Sequence, residues 1–157
     1  KIVRCYTDKG GWTINPFSGG DAAVAIPDDE YKTIKGDIFI GGALYNYAVN
    51  NIGTAELEGK DGGAYKIKFT SPDSIVSTYY IDTATYYLDK MMRPGVMKGQ
   101  QVDVTTSFSN YKQLADGILL PYTTDIDFGG NFSLTTTISK VELNKTIGTS
   151  IFEMPKS

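Results

Sequence analysis

The chain has no histidine and only one cysteine among its 157 residues. These absences exclude Ser-His-Asp and Cys-His nucleophilic catalysis, zinc sites that use histidine, CxxC motifs and a disulfide within the chain. Long hydrophobic runs are missing too, since the apolar stretches fall far short of the roughly 20 residues that a membrane-spanning helix needs. Most familiar sets of catalytic side chains are therefore absent, and we expect a protein that is not an enzyme and has no cofactor.

An excess of basic residues is also lacking. Lysine and arginine number 15 against 18 aspartates and glutamates, so the net charge is -3. Binding to nucleic acid needs lysine and arginine clustered for phosphate contacts, and no such stripe occurs in the sequence. We therefore expect no nucleic-acid partner. The single cysteine, Cys5, lies in an alternating run and is predicted to be a half-buried strand residue.

The chain does have many short alternating runs, separated by Gly, Asp, Asn and Pro and rich in tyrosine. This pattern is typical of antiparallel strands. It predicts about nine strands in one domain over residues 1–157. Because so long an antiparallel sheet must curl, close or be covered, we predict a mainly β fold, a curled antiparallel sheet or incomplete β-barrel. The predicted strands cover residues 2–7, 11–14, 55–60, 64–70, 75–82, 86–92, 101–111, 118–128 and 132–143.

One segment interrupts the strand pattern. Pro27-Asp28-Asp29-Glu30 places a proline and three acids where the N-terminus of a helix favours them. Tyr31, Ile34 and Ile38 follow at spacings of three and four residues, as on one face of a helix. We predict a short helical excursion over about residues 27–47 that covers one end of the sheet. The sequence leaves open whether it is a fixed cover or a movable lid over a cavity.

Paired carboxylates are the one catalytic set that remains. Asp125 and Asp127 are two residues apart on a predicted strand and so share one face, as the acids of a glycosidase must within a cleft. They flank Ile126 in an alternating strand, however, which predicts that their face is the solvated one. We assign them no catalytic role and expect no metal site.

Tyrosines suggest a different function. Rings such as those of Tyr79, Tyr80, Tyr86 and Tyr87 could stack on sugars, so a glycan-binding module is an alternative. Tyrosine is also an ordinary strand residue whose ring packs while its hydroxyl stays in water.

Four segments stand in a fixed order along the chain. They are Gly11-Trp12-Thr13-Ile14-Asn15-Pro16-Phe17; Tyr79-Tyr80-Ile81-Asp82; Phe108-Ser109-Asn110-Tyr111 followed by Asp116-Gly117-Ile118-Leu119-Leu120-Pro121; and Val141-Glu142-Leu143-Asn144 leading to Ser150-Ile151-Phe152-Glu153-Met154-Pro155. In order and spacing they resemble the LolA-like outer-membrane lipoprotein-sorting proteins of Gram-negative envelopes. The resemblance covers most of the chain as one LolA-like domain. Relatives carry further N-terminal strands and a helix before the first segment, so we expect those elements to be missing here.

This resemblance implies an incomplete barrel whose concave apolar face is covered by helices and holds lipid. It further implies a non-enzymatic protein of the periplasm or cell envelope of a Gram-negative bacterium. Such a protein would bind lipid or an acylated lipoprotein during sorting to the outer membrane. An open sheet edge would also allow a homodimer. The alternatives are an envelope scaffold or a glycan-binding module, neither with lipid cargo.

The candidate lining of the apolar face consists of bulky residues at alternating strand positions. A slip of one residue would exchange the inward and outward faces of any strand. An acyl chain needs only apolar burial, worth about 0.8 kcal/mol for each CH₂ group. The candidate residues are Trp12, Tyr65, Ile67, Phe69, Tyr79, Ile81, Met91 and Phe108.

Overall fold

The computed structural model describes residues 2–16, 20–38, 41–97 and 100–155. Within these ranges the chain forms ten strands, two α-helices and three short 3-10 turns. The strands form two antiparallel sheets that are not closed into a barrel. The predicted mainly β fold is confirmed. Phe17 of the first sequence segment and residues 39 and 40 of the predicted helical excursion lie outside the described residues.

The first sheet has three strands, β1 (Val3–Thr7), β2 (Gly10–Asn15) and β3 (Gly20–Ala25). Its first two strands form the predicted hairpin, in which Cys5 lies opposite Trp12. Both of these side chains are buried. The sequence did not predict β3, because its residues GDAAVA carry little apolar bulk and are largely exposed.

The second sheet has seven strands, and each strand pairs with its neighbour in the sequence. The order across the sheet is β10-β9-β8-β7-β6-β5-β4, so β4 and β10 are its edges. Hairpin turns such as Asp61-Gly62-Gly63 connect these strands, as the sequence predicts. The strands are β4 (Thr54–Asp61), β5 (Ala64–Thr70), β6 (Val76–Asp82), β7 (Leu88–Met97), β8 (Gln100–Gln113), β9 (Leu119–Phe128) and β10 (Ser133–Thr137).

Two predicted strand boundaries were wrong. We expected Arg93-Pro94-Gly95 to end a strand, but β7 continues through Pro94, which lies opposite Asp103. Proline removes a backbone donor but still adopts an extended conformation, so a strand can pass through it where that donor is not needed. The last strand stops at Thr137 rather than near residue 143. All five residues of β10 are exposed, so no buried face favours a longer pairing.

Two helices lie between β3 and β4 in the sequence, where the helical excursion was predicted. Helix α1 covers Asp28–Ile34 and has its three acids in the first turn, where they interact favourably with the helix dipole. A 3-10 turn over Lys35–Ile38 follows, and helix α2 covers Gly42–Asn50. Among the described residues, no helix combines the length and the apolar character needed to cross a membrane.

The main core lies between α2 and the seven-stranded sheet. Phe69, Tyr79 and Met91 are buried there, and the Ala43 and Tyr47 side chains of α2 pack against them. The ring of Phe69 makes edge-to-face contacts with the rings of Tyr47 and Tyr79, at centroid distances of 6.4 and 6.2 Å. Such pairs stabilise a fold by about 0.5–1.5 kcal/mol beyond their apolar burial. The pair of Tyr47 with Phe69 holds α2 against β5.

Candidate apolar binding site

One row of side chains defines the face of the sheet that α2 covers. Residues directly opposite each other on neighbouring strands share a face. Strand pairing joins Ile67 to Tyr79, Tyr79 to Met91, Met91 to Thr106, and Thr106 to Ile126. The row therefore crosses from β5 to β9 on one face. Helix α2 packs against the core cluster of Phe69, Tyr79 and Met91 on this face, and we call this face of the sheet the covered face.

An open cavity of about 520 Å³ occupies the covered face beside α2. Its volume falls within the range of about 300–1,000 Å³ that is usual for small-ligand sites. Most of its wall is aromatic or aliphatic, and we call it the apolar cavity. It is lined by Gly41, Gly42, Tyr79, Tyr86, Tyr87, Leu88, Met91, Arg93, Thr106, Phe108, Tyr111, Leu119, Leu120, Pro121 and Ile126.

Three of the eight candidate lining residues face this cavity, namely Tyr79, Met91 and Phe108. Two others, Ile67 and Phe69, belong to the packed core next to it. These five residues come together because alternation along β5, β6, β7 and β8 places them on the covered face.

The remaining three candidates lie outside the cavity wall. Tyr65 and Ile81 are opposite each other on β5 and β6, and the ring of Tyr65 stacks on that of Tyr86 with centroids 6.4 Å apart. Trp12 lies in the three-stranded sheet, where its Nε1 donates a hydrogen bond to the Phe152 carbonyl at 3.0 Å. The structure thus does not bring Trp12 to the apolar cavity.

A tight turn holds Tyr86 at the rim of the cavity. The Asp82 carboxylate accepts hydrogen bonds from the Ala84 N–H at 3.1 Å and from the Thr85 N–H and hydroxyl, both at 2.7 Å. These bonds, with the Thr85 N–H first, lower the pKa of Asp82 below its ordinary value. Tyr86 has a left-handed backbone with φ of 60° and a side chain that is 70% exposed.

Tyr111 joins two strands at another part of the cavity wall. Its hydroxyl donates a hydrogen bond to the Leu88 carbonyl at 2.6 Å, and its ring centroid lies 4.8 Å from that of Tyr87. Burial, followed by the charges of Asp89 and Tyr87, raises the pKa of Tyr111 to about 12. The hydroxyl therefore keeps its proton, and its hydrogen bond to the Leu88 carbonyl, at more alkaline pH than an ordinary tyrosine would.

Arg93 connects the cavity wall to helix α1. Its Nη1 donates a hydrogen bond to the Thr33 carbonyl at 3.2 Å, while its strand, β7, also supplies Met91 to the wall. The sequence alone did not predict a role for Arg93. A helix carbonyl approaching an arginine on a strand is a tertiary contact, and nothing in the local sequence pattern indicates it.

The sequence also did not predict that β9 forms one side of the cavity wall. Leu119, Leu120 and Pro121 line it in succession, although strict alternation would place consecutive residues on opposite faces. The apolar run that ends at Pro121 is the one signal in the sequence that could have indicated this wall.

The arrangement is suited to burying an apolar ligand. Among the described residues, no group of three or more side chains of the metal-binding types comes together. Asp125 lies opposite Thr135 at the solvated side of β9, and its carboxylate accepts a hydrogen bond from the Thr135 hydroxyl. The polar groups of the wall, chiefly tyrosine hydroxyls, Thr106 and Arg93, could orient one end of a bound molecule.

No protein-family model matches the chain, and no curated protein matches it either. One similar solved structure is a crystal structure named for an outer membrane lipoprotein-sorting protein domain from Vibrio parahaemolyticus. The two structures align with a TM-score of 0.55 at 17% sequence identity, over 91% of this chain and 63% of that one. The chain has a LolA-like fold.

This similarity confirms the LolA-like resemblance at the level of the fold. At 17% identity it concerns the architecture alone. The chain also spans only 63% of the length of the Vibrio chain.

Proposed function

We propose that this LolA-like chain is a non-enzymatic protein of the cell envelope that binds lipid or an acylated lipoprotein in the apolar cavity. The observation that carries the proposal is a cavity of about 520 Å³ with a largely aromatic and aliphatic wall. The name of the similar Vibrio domain, which refers to lipoprotein sorting at the outer membrane, supports a location in the Gram-negative periplasm.

The energetics of an acyl chain suit such a wall. Each buried CH₂ group contributes about 0.8 kcal/mol, so roughly eight of them contribute about 6 kcal/mol before the entropic cost of association is subtracted. This binding needs no catalytic group and no cofactor. It also tolerates different acyl chains, because apolar burial is not directional.

Binding of a lysophosphatidylcholine tests the proposal. Leu120→Asp places a carboxylate in the cavity wall, and we expect it to weaken binding by about tenfold or more, since an unpaired charge in an apolar site is costly. Leu57→Asp is the matched control, because Leu57 is 62% exposed and does not line the cavity. Calorimetric titration of the folded proteins measures both affinities. Absence of binding by the unmodified chain, or equal binding by the two variants, would contradict the proposal.

A second candidate is an envelope scaffold that contacts another protein. Its support is a series of exposed apolar side chains along β10 and the segment that follows, and such surfaces often mark interaction sites. A cooperatively folded chain that binds no lysolipid would favour this function. The exposed side chains are Phe132, Leu134, Ile138, Ile147, Ile151, Phe152 and Met154.

A further inference from the structure

Three tyrosine rings meet at one end of the apolar cavity. Tyr86 and Tyr87 come from the turn between β6 and β7, and Tyr111 comes from the end of β8. The ring centroids of Tyr87 and Tyr111 lie 4.8 Å apart, with their planes tilted by 40°. Tyr86 is 70% exposed and Tyr87 is 37% exposed, so much of each ring surface is open to a ligand. We call these three rings the tyrosine cluster.

Arg93 lies towards the other end of the same cavity. It is opposite Val104 on β8, and Tyr111 follows Val104 seven positions later on that strand. At about 3.3 Å per residue, these two positions are roughly 23 Å apart along the strand. Exposed charges are largely screened beyond about 10 Å at 0.1 M salt. The guanidinium charge therefore has little effect on a ligand group at the tyrosine cluster.

The end of the sheet that holds the tyrosine cluster also carries carboxylates. Asp61, Asp82 and Asp89 line an open cavity at the hairpin of β6 and β7, and Lys90 is the one basic side chain among the described residues of its lining. The charge of Asp89 also acts on Tyr111, where it is second to burial in raising the pKa. The local charge therefore favours a cationic group over an anionic one.

The face of an aromatic ring attracts cations. The fold already contains such a contact beside the tyrosine cluster, because Lys60 Nζ lies 5.1 Å from the ring centroid of Tyr65, which stacks on Tyr86. An ammonium group of a ligand can make the same contact with the rings of the cluster. A sugar stacks best on a flat platform, and rings tilted by 40° do not provide one.

We propose that the apolar cavity binds an amphiphile with an ammonium head group, whose acyl chain lies along the apolar wall and whose cation lies against the tyrosine cluster. This inference rests on the proposed function and names the head group of the ligand. Wall residues such as Met91 and Phe108 bury the chain, while the rings supply the contacts that select the cation.

Two ligands that differ in one atom test the inference. One is lysophosphatidylcholine, and the other is its carbon isostere, in which a tert-butyl group replaces trimethylammonium. An apolar site without aromatic faces favours the isostere, because burying a cation costs hydration. We expect the unmodified chain to bind lysophosphatidylcholine about fivefold more tightly than the isostere, as contact of a cation with aromatic rings implies. Calorimetric titration measures both affinities.

Variants of Tyr87 test whether the ring is responsible. Tyr87→Leu removes the aromatic face and keeps apolar bulk, so we expect it to reduce the preference for lysophosphatidylcholine over the isostere. Tyr87→Phe keeps the ring and should retain the preference. Tyr45→Leu is the matched control, because Tyr45 is an exposed tyrosine of α2 that does not line the cavity. It should change neither affinity.

The outcomes separate this inference from the proposed function. If the unmodified chain binds neither ligand, the proposed function fails and the inference fails with it. If the isostere binds as tightly as lysophosphatidylcholine, or if Tyr87→Leu weakens both ligands equally, lipid binding remains and the ammonium site is overturned. Choline that binds without competing with lysophosphatidylcholine would likewise overturn a shared site for head and chain. Should Tyr87→Leu lose its cooperative melt, the comparison of Tyr86→Leu with Tyr86→Phe carries the test, because the Tyr86 side chain is largely exposed.

Discussion

Gly53 lies so close to Phe69 that a Cβ at this position would come within 2.6 Å of the ring Cζ. The same Cβ would be 2.8 Å from the Thr70 carbonyl oxygen, and Gly53 has a left-handed φ of 90°. Gly53 lies in the short connection between α2 and β4. The missing side chain thus allows the chain leaving α2 to pass directly over a core ring.

We expect Gly53→Ala to lower the free energy of unfolding by about 2–4 kcal/mol. Backbone strain contributes about 1 kcal/mol, and displacement of the packed Phe69 ring contributes about 1–3 kcal/mol. Urea denaturation measures the loss. Gly62→Ala is the control, because Gly62 also has a left-handed φ, of 58°, but a Cβ there meets no atom within 4 Å. Gly62→Ala should lose only the free energy that corresponds to backbone strain. Equal losses of stability in the two variants would show that contact with Phe69 is unimportant.

Tyr86 combines an unfavourable backbone conformation with a place at the cavity rim. Asparagine tolerates the left-handed conformation, so Tyr86→Asn relieves about 1 kcal/mol of strain. It also loses the ring contact with Tyr65, worth about 0.5–1.5 kcal/mol. We expect these effects to offset each other in thermal denaturation, while the affinity for lysophosphatidylcholine falls about fivefold, as the loss of roughly 1 kcal/mol of apolar contact implies.

The control for this prediction is Tyr45→Asn. Tyr45 is also an exposed tyrosine, but it lies on α2 and does not line the apolar cavity. Its replacement should leave the lysolipid affinity unchanged. Retention of full affinity by Tyr86→Asn would remove the rim from the proposed site.

The raised pKa of Tyr111 predicts a loss of stability in alkali. A tyrosine ionises near pH 10 in the unfolded chain, whereas the folded chain holds the proton up to about pH 12. The folded state therefore binds more protons in this interval, so the stabilisation is complete below pH 10 and is lost as the pH rises towards 12. Between pH 10 and 12, denaturant melts should show the unmodified chain losing stability relative to Tyr111→Phe. A difference between the two proteins that does not change with pH would contradict the assignment.

The sequence predicted strands well where a glycine turn separates two alternating runs. The hairpin from β4 to β5 is of this kind, since alternation specifies its faces and Asp61-Gly62-Gly63 specifies its turn. The sequence did not predict β3, because the small residues of this strand give no periodic signal. It also placed the end of β7 too early, because the ring of Pro94 does not prevent an extended conformation.

The candidate site could be predicted only in part, because alternation gives a face of a strand but not what covers that face. Phe69 and Tyr79 were both placed on the apolar face, yet they are 3% and 5% exposed beneath α2. A charge at Phe69 would therefore test folding rather than ligand binding. Alternation likewise cannot assign Trp12 to one of two sheets, and it gave no signal for Arg93, whose neighbour in space is the Thr33 carbonyl of α1.

Strand order in the two sheets has a consequence for how the chain folds. Every pairing in the seven-stranded sheet joins neighbours in the sequence, so each hairpin closes a short loop at low entropic cost. The hydrogen bond from Trp12 to the Phe152 carbonyl instead joins residues 140 positions apart. It can form only when the segment around Phe152 has reached the three-stranded sheet. We therefore expect the fluorescence of the single tryptophan, 8% exposed in the folded protein, to change in a late step of folding, when the contact with Phe152 forms.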